Sequence, residues 1–168
     1  MFSIGDTVLF GTEGVFVIEQ ITQKEICGKT ADYYALKSKF KDNSVVYLPV
    51  ANKELTEKIR PLLTEDEIIE LLGNISDSDE MWIDDNKQRK EKFMDILQGG
   101  CREEIIRLAD AIYHRQQILK LNHRKLSLAD ERILKEAERI IAMEFSFVLN
   151  IEQKDVGEYI RNHMKISQ

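Results

Sequence analysis

The chain has 168 residues, of which 43% are hydrophobic and 32% charged, and its formal net charge is -6 at pH 7. This length suits one ordinary domain or two small ones, and no apolar run approaches the roughly 20 residues that a membrane-spanning helix needs. The start, MFSIGDTVLF, lacks the basic and long apolar regions of a signal peptide, and Cys27 and Cys101 form no CxxC pair. We therefore expect a cytoplasmic protein with reduced cysteines.

The first 50 residues or so have the pattern of short β-strands. The candidate strands are Thr7–Phe10, the apolar run Val15–Ile21, the aromatic-rich Asp32–Leu36, and Val45–Leu48, separated by the turn pairs Gly5-Asp6, Gly28-Lys29 and Asp42-Asn43. Four or five short strands bury little surface as a flat sheet, so we predict a small, strongly bent β-barrel over residues 1–52.

After a linker at residues 53–63, the apolar period becomes helical. Thr64 and Glu67 have the spacing of a capping box, and Gly73 is placed to end that helix in the left-handed conformation. Further helices are predicted from about Trp82 or Asp84 to Gln98, at about Arg102–Leu121, from a Ser127 cap to about Leu149, and around Gln153–Met164. Residues 64–168 are thus predicted to be an all-α helical bundle, which makes the chain an α+β protein of two domains.

Charge is unevenly distributed along the chain. Residues 1–73 carry 8 basic and 12 acidic side chains, whereas residues 87–135 carry 12 basic and 7 acidic ones. Because phosphate contacts draw on clustered Lys and Arg, any surface for a polyanion should lie in the second half.

Catalytic signatures are missing from the sequence. It contains no GxxxxGK[ST], no GxGxxG after a strand and no GxSxG. We interpret His114 and His123 as surface residues, and Cys101 at a helix start has no partner base nearby in sequence. The expectation is a protein that is not an enzyme and has no catalytic residue, metal site or cofactor.

Three features point to binding instead. Trp82, the only tryptophan, lies in DEMWIDD, where it either packs on the bundle or contacts a partner. A small barrel with an exposed strand edge can bind a partner segment by strand addition. Basic residues form either a solvated face or a DNA-backbone surface: Lys87, Arg89, Lys90 and Lys92 on one helix, with Arg115, Lys120, Arg124 and Lys125 further along.

The order of these residues resembles the CarD/CdnL family of bacterial transcription regulators, whose N-terminal module is shared with the transcription-repair coupling factor. The first half carries Phe2-x-x-Gly5-Asp6-x-Val8-x-Phe10-x-x-x-Gly14-Val15, then Ile21-Thr22, Gly28, Tyr33-Tyr34-Ala35-Leu36-Lys37 and Val45-x-x-Leu48-Pro49-Val50. The second half carries Trp82 before a basic helix, the Gly99 break, Ile106, Leu108, Tyr113 and Leu126-Ser127-x-x-Asp130-x-x-Ile133-Leu134-x-x-Ala137. The similarity is collinear over nearly the whole chain.

This resemblance implies a Tudor-like barrel that binds the RNA polymerase β subunit by strand pairing, with Lys24, Val46, Tyr47 and Leu48 at the contact. It also implies that Trp82 is a wedge in the minor groove at the upstream edge of the promoter bubble. Lys87 and Lys90 would contact the DNA backbone. The implied result is a stabilised open complex without strong sequence specificity, on a protein that is nucleoid-associated through the polymerase.

Two departures from the family pattern modify these expectations. Asp84 and Asp85 stand where the family has basic residues, and Tyr47 stands where some members have an arginine. Repulsion between the carboxylates and phosphates shifts the expected DNA contact toward Lys120, Arg124 and Lys125. The alternative is a polymerase-docked adaptor whose helical domain binds another protein. We expect the protein to function as a monomer, with a strand-swapped or edge-paired homodimer as the other possibility.

Overall fold

Five antiparallel strands build the first unit, Met1–Leu63, in the computed structural model, which describes residues 2–75 and 79–164. The elements are β1 (Thr7–Phe10), β2 (Gly14–Ile26), β3 (Lys29–Ser38), β4 (Val45–Pro49), a short helix α1 (Lys53–Thr56) and β5 (Ile59–Pro61). The strand order is β4-β3-β2-β1-β5, so β4 and β5 lie at the two edges. The five-stranded sheet followed by helices confirms the predicted α+β class.

The long β2–β3 hairpin is the centre of this sheet. Cys27 and Gly28 connect its strands with φ values of 53° and 73°, the pair of positive values that a type I′ turn requires. A register shift between Ile18 and Gln20 is a bulge in β2 that bends the sheet around its core. That core consists of Val8, Phe16, Ile18, Tyr34, Leu36, Leu48 and Ile59, all nearly inaccessible to solvent.

The segment expected to be a linker, residues 53–63, instead completes the first unit. β5 pairs antiparallel with β1, with Phe10 opposite Ile59, and the side chain of Ile59 is buried. Three residues are too few to show a β period, so this strand is visible only from its long-range pairing. Within the described residues β4 and β5 do not pair with each other, so the predicted barrel is open between these two edge strands.

Helices form the second unit, Thr64–Gln168. They are α2 (Glu65–Asn74), α3 (Asn86–Gly99), α4 (Arg102–Leu121), α5 (Leu128–Leu149) and α6 (Val156–His163), with 3-10 turns at Asp79–Met81 and Gln153–Asp155. The long helix α5 contacts α2, α3, α4 and α6, so it is the central element. Phe93, Ile105, Leu108, Ile112 and Phe145 are fully buried around it.

Side-chain caps mark the starts of three of the five helices described in this unit. Thr64 and Glu67 form the predicted capping box, with bonds of 3.2 and 2.7 Å, and Ser127 caps α5. Asp85 caps α3, which begins later than predicted. The prediction for Gly73 was wrong, because α2 continues to Asn74 and ends where the backbone extends to bury Ile75.

Candidate functional site

The edge strand β4 presents two different faces. Tyr47 is 42% exposed and Val45 is 37% exposed, and both point away from the core. Leu48 is only 2% exposed, and Val46 is half-buried against the core of the sheet. Because successive strand residues alternate between faces, only the odd-numbered residues of β4 can offer side chains to a partner.

The hydrogen bonds that flank β4 determine which main-chain groups face outward. At its two ends, Ser38 N–H donates to the Ser44 carbonyl and Val50 N–H donates to the Asp32 carbonyl, both at 2.9 Å. Bonded and non-bonded pairs alternate in an antiparallel ladder, so the two residues of β4 that bond to β3 are Val46 and Leu48.

The main-chain N–H and C=O groups of Val45 and Tyr47 consequently face the free edge. Val46 and Leu48 were predicted to contact a partner, and in this geometry neither presents a side chain or a main-chain hydrogen-bonding group to the free edge. Their side chains fill the core and their main-chain groups are used by β3, so a strand added at this edge would bond to Val45 and Tyr47 instead.

Lys24 and Tyr47 meet on the outer face of the sheet. Lys24 lies on β2 opposite Ala31, and its Nζ is 3.1 Å from the centroid of the Tyr47 ring. This cation–π contact spans β3 and fixes a positive charge beside the exposed aromatic ring. The structure therefore brings these two predicted contact residues together at the edge.

Trp82 follows the 3-10 turn Asp79–Met81 and both packs on the bundle and borders a cleft. Its ring is half-buried and meets the fully buried Phe93 edge-on at a centroid distance of 6.2 Å. Two guanidinium groups lie near the ring, that of Arg89 at 4.3 Å and that of Arg115 at 5.2 Å. The two interpretations of Trp82 are thus compatible, since the indole is anchored on one side.

Arg89 holds the segment that carries Trp82. Its Nε and Nη2 donate to the two carboxylate oxygens of Asp130 at 3.1 and 2.8 Å. Nη1 donates to the carbonyls of Ile83 and Asp84 at 2.7 and 3.2 Å, and Nη2 donates to Asn86 Oδ1 at 2.8 Å. With its side chain 6% exposed and its donors engaged, Arg89 is a structural residue rather than a phosphate contact.

Asp130 is the buried anion of this cluster. Burial alone would raise its pKa, but hydrogen bonds from Arg89 and Ser127 and the charge of Arg89 outweigh that effect, so the pKa of Asp130 lies below its ordinary value. The carboxylate therefore stays charged at neutral pH and keeps Arg89 in place.

A cleft of about 340 Å³ opens beside Trp82. The loop between α4 and α5 forms part of its wall, and a Schellman motif starts that loop. His123 has a φ of 55°, Arg124 N–H donates to the Leu119 carbonyl at 2.7 Å, and His123 N–H donates to the Lys120 carbonyl at 3.1 Å. This turn directs the chain back so that Arg124 and Lys125 line the cleft.

The cleft gathers only part of the predicted DNA-binding set. Trp82, Arg124 and Lys125 line it, whereas the exposed Lys87, Lys90 and Lys120 do not. Arg115, which the sequence placed among the basic residues of a possible DNA-backbone surface, also lines the cleft. Of the two acidic departures, Asp84 lines the cleft and Asp85 caps α3, its Oδ1 accepting from Gln88 N–H at 2.8 Å.

Other candidate groups are scattered. His114 Nδ1 lies 3.6 Å from Asp110 Oδ2, a carboxylate four residues earlier on the same helix that the sequence interpretation overlooked. Cys27 and Cys101 are free and exposed. In residues 2–75 and 79–164 no three His, Cys, Asp or Glu side chains group as metal ligands. Nor does any helix in those ranges have the length and apolarity to cross a membrane.

Comparison with known proteins agrees with this architecture. Residues 2–63 match the family model of the CarD-like/TRCF RID domain, a range that corresponds to the first unit. Over 165 aligned residues the chain is 25% identical to "Putative transcription factor YdeB" of Bacillus subtilis (strain 168). The alignment covers 95% of this chain and 99% of that protein. The first unit is therefore similar to the CarD-like/TRCF RID domain, in agreement with the resemblance found in the first half of the sequence.

Proposed function

We propose that this chain, with its CarD-like/TRCF RID domain, is a bacterial transcription regulator held on the RNA polymerase β subunit by the edge of its sheet. The helical unit then contacts promoter DNA at the upstream edge of the bubble and stabilises the open complex. The observation that carries the proposal is the match of residues 2–63 to the RID-domain model. In this unit the β4 edge leaves the main-chain groups of Val45 and Tyr47 available for pairing.

The chemistry of the β4 edge suits strand addition. Main-chain hydrogen bonds would supply affinity, and the Lys24–Tyr47 pair beside them would supply specificity through a positive charge and an aromatic surface. Pro49 has no N–H, which limits the register in which a partner strand can bond. The partner strand should therefore pair with the stretch that starts at Val45.

Capture of purified RNA polymerase tests the docking. The Lys24→Glu plus Tyr47→Glu double variant should lose capture, because it reverses the charge and removes the aromatic contact. Tyr47→Pro removes one outward N–H and leaves the β3–β4 bonds intact, so it should weaken capture while the sheet stays folded. Lys58→Glu, an exposed residue beside the opposite β5 edge, is the matched charge control. No capture of polymerase by the wild type would refute the docking proposal.

The helical unit offers a surface suited to DNA backbone. From Ala111 to Ala129 the chain contains no acidic residue, and Arg115, Arg124 and Lys125 from this stretch line the cleft beside Trp82. Cationic side chains position a protein on phosphates without reading sequence, and an aromatic group beside them can occupy a distorted base step. Asp84 opposes this in part, so the contact should centre on Arg124 and Lys125.

Lifetime of the open promoter complex after heparin challenge tests the DNA contact. Arg124→Ala plus Lys125→Ala should shorten the lifetime and lower the salt dependence of DNA binding, by a slope of about 1 per lost cation. Lys154→Ala, which removes an exposed cation of an ion pair outside the cleft, should change neither. Trp82→Phe keeps an aromatic ring against Phe93 but shortens the wedge, so it should shorten the lifetime without unfolding the unit.

The second candidate function is a polymerase-docked adaptor whose helical unit binds another protein. Asp84 at the cleft favours it, because a carboxylate there suits a protein partner better than phosphates. Polymerase capture combined with open-complex lifetimes that no cleft variant alters would support the adaptor over the DNA contact.

A further inference from the structure

A second cavity in the helical unit lies apart from the Trp82 cleft. Its volume is about 460 Å³, and its walls come from α4, α5, α6 and the 3-10 turn Gln153–Asp155. No residue lines both cavities. The volume is within the range of pockets that hold small molecules, about 300–1,000 Å³.

The inner wall of this cavity is apolar. Ile106 and Ala109 contribute from α4, Ile141 and Ala142 from α5, and Ile160 from α6. Ile106 and Ile141 are 2% and 4% exposed and belong to the packed core behind the wall, whereas Ala109 and Ile160 are partly exposed and form its surface. Such a surface can bind the apolar body of a ligand, because binding removes apolar area of both from water and this stabilises the complex.

The rim carries charges, several of which have partners within the protein. Arg139 is bonded to Glu136 at 2.6 and 2.8 Å, and Lys154 is bonded to Glu152 at 2.7 Å. Asp110 faces His114 at 3.6 Å. The remaining charged groups of the rim are the two cations Arg161 and Lys135 and the carboxyl of Glu138.

Arg161 is held at the rim by two neighbours. Its guanidinium lies 4.8 Å from the ring centroid of Tyr113, and its Nη1 is 3.3 Å from the point that a Cβ at residue 157 would occupy. Gly157 therefore gives the guanidinium room to fold back along α6. Burial raises the pKa of Glu138, more than the charges of Arg161 and Lys135 lower it, and its carboxyl lies on the same rim as these two cations.

We propose that this cavity binds a small apolar molecule with a single anionic group, its body against Ala109 and Ile160 and its anion at Arg161 and Lys135. The site is independent of the proposed polymerase and DNA contacts. Because α6 forms one wall, an occupied cavity would hold α6 more firmly against α4 and α5.

Fluorescence titration of the full chain with 8-anilinonaphthalene-1-sulfonate tests the proposal, since this probe joins an apolar aromatic body to one sulfonate. We expect saturable binding at one site. Ala109→Leu adds a side chain inside the cavity and should abolish it, and Arg161→Gln should weaken it about five- to tenfold by removing a charge-assisted bond. Arg132→Gln, an exposed arginine on α5 outside the lining, is the matched control and should bind like the wild type.

The uncharged analogue N-phenyl-1-naphthylamine separates the role of the anion from that of the apolar wall. Its affinity should fall in Ala109→Leu and stay unchanged in Arg161→Gln. Displacement of the sulfonate probe by decanoate would extend the class to aliphatic carboxylates, and displacement only by benzoate derivatives would restrict it to aromatic ones.

The proposal is overturned by a lack of saturable binding, by binding that Ala109→Leu leaves intact, or by an Arg161→Gln effect equal for both probes. Circular dichroism of each variant identifies loss of fold, and Arg161→Gln at the surface remains informative if Ala109→Leu unfolds.

Discussion

Removal of Arg89 should destabilise the helical unit far more than removal of an exposed arginine. Arg89→Ala deletes the partner of Asp130, which is 4% exposed, and frees the carbonyls of Ile83 and Asp84 from their common donor. It also removes the guanidinium that lies 4.3 Å from the ring of Trp82. The substitution therefore affects both the core and the segment that carries the tryptophan.

The magnitude follows from the charge that is left behind. Breaking a buried ion pair by deleting one partner costs about 3–5 kcal/mol, because the other charge stays buried without compensation. Arg139 and Glu136 form an ion pair on α5 in which both side chains are 44% exposed, and such pairs contribute about 0–1 kcal/mol. Arg139→Ala is thus the matched control for the same chemical change at the surface.

Urea unfolding, followed by tryptophan fluorescence, measures the difference in stability between the Arg89→Ala and Arg139→Ala variants. The chain has one tryptophan, so the signal of Trp82 reports on the helical unit alone. With a cost of about 3–5 kcal/mol and slopes of about 1–3 kcal/mol per molar urea, Arg89→Ala should lower the midpoint by about 1–5 M. Arg139→Ala should leave the midpoint within about 1 M of the wild type.

A double replacement tests whether Arg89 and Asp130 are energetically coupled. Arg89→Met combined with Asp130→Leu removes both charges, so it should be less destabilised than the two single variants added together. A midpoint for Arg89→Ala within experimental error of Arg139→Ala would refute the argument that Asp130 is a buried charge dependent on Arg89. Additive single and double variants would refute the coupling between the two residues.

Three further predictions concern the same unit. First, since the pKa of Asp130 is depressed on folding, its contribution to stability is present above the ordinary value of 3.8 and is lost as the pH falls through the depressed pKa; Asp130→Asn should flatten that acid part of a pH–stability profile measured by urea unfolding. Second, Arg102 binds Glu144 through two bonds of 2.7 Å and Glu144 is 1% exposed, so Arg102→Ala should cost about 3 kcal/mol of unfolding free energy, and a loss below about 1 kcal/mol would contradict it. Third, Thr64→Ala removes the side-chain cap of α2 and should cost about 1 kcal/mol, read from the thermal midpoint, whereas Thr64→Asp should retain most of the stability.

Local chemistry made much of the fold predictable. The change from a two-residue to a helical period separates the strands from the helices, and the caps at Thr64 and Ser127 mark two helix starts, because both signals depend on residues within one turn of each other. The same locality explains an error. Gly73 has the composition of a helix end, but burial of Ile75 by the rest of the unit extends α2 past it.

For the candidate sites, the sequence by itself determined which residue types are present, and the tertiary structure decided which of them meet. The sequence contains Trp82, an acid-free basic stretch and an edge-strand pattern, all readable along the chain. Only folding pairs Arg89 with Asp130 across 41 residues and converts Arg89 from a candidate phosphate contact into an internal anchor. The orientation of β4 likewise depends on its register with β3, which turns the main-chain groups of Tyr47 outward and those of Leu48 inward. Hydrogen-bond ladders and buried ion pairs form between segments distant in sequence, and their geometry is therefore set by chain topology rather than by any local pattern.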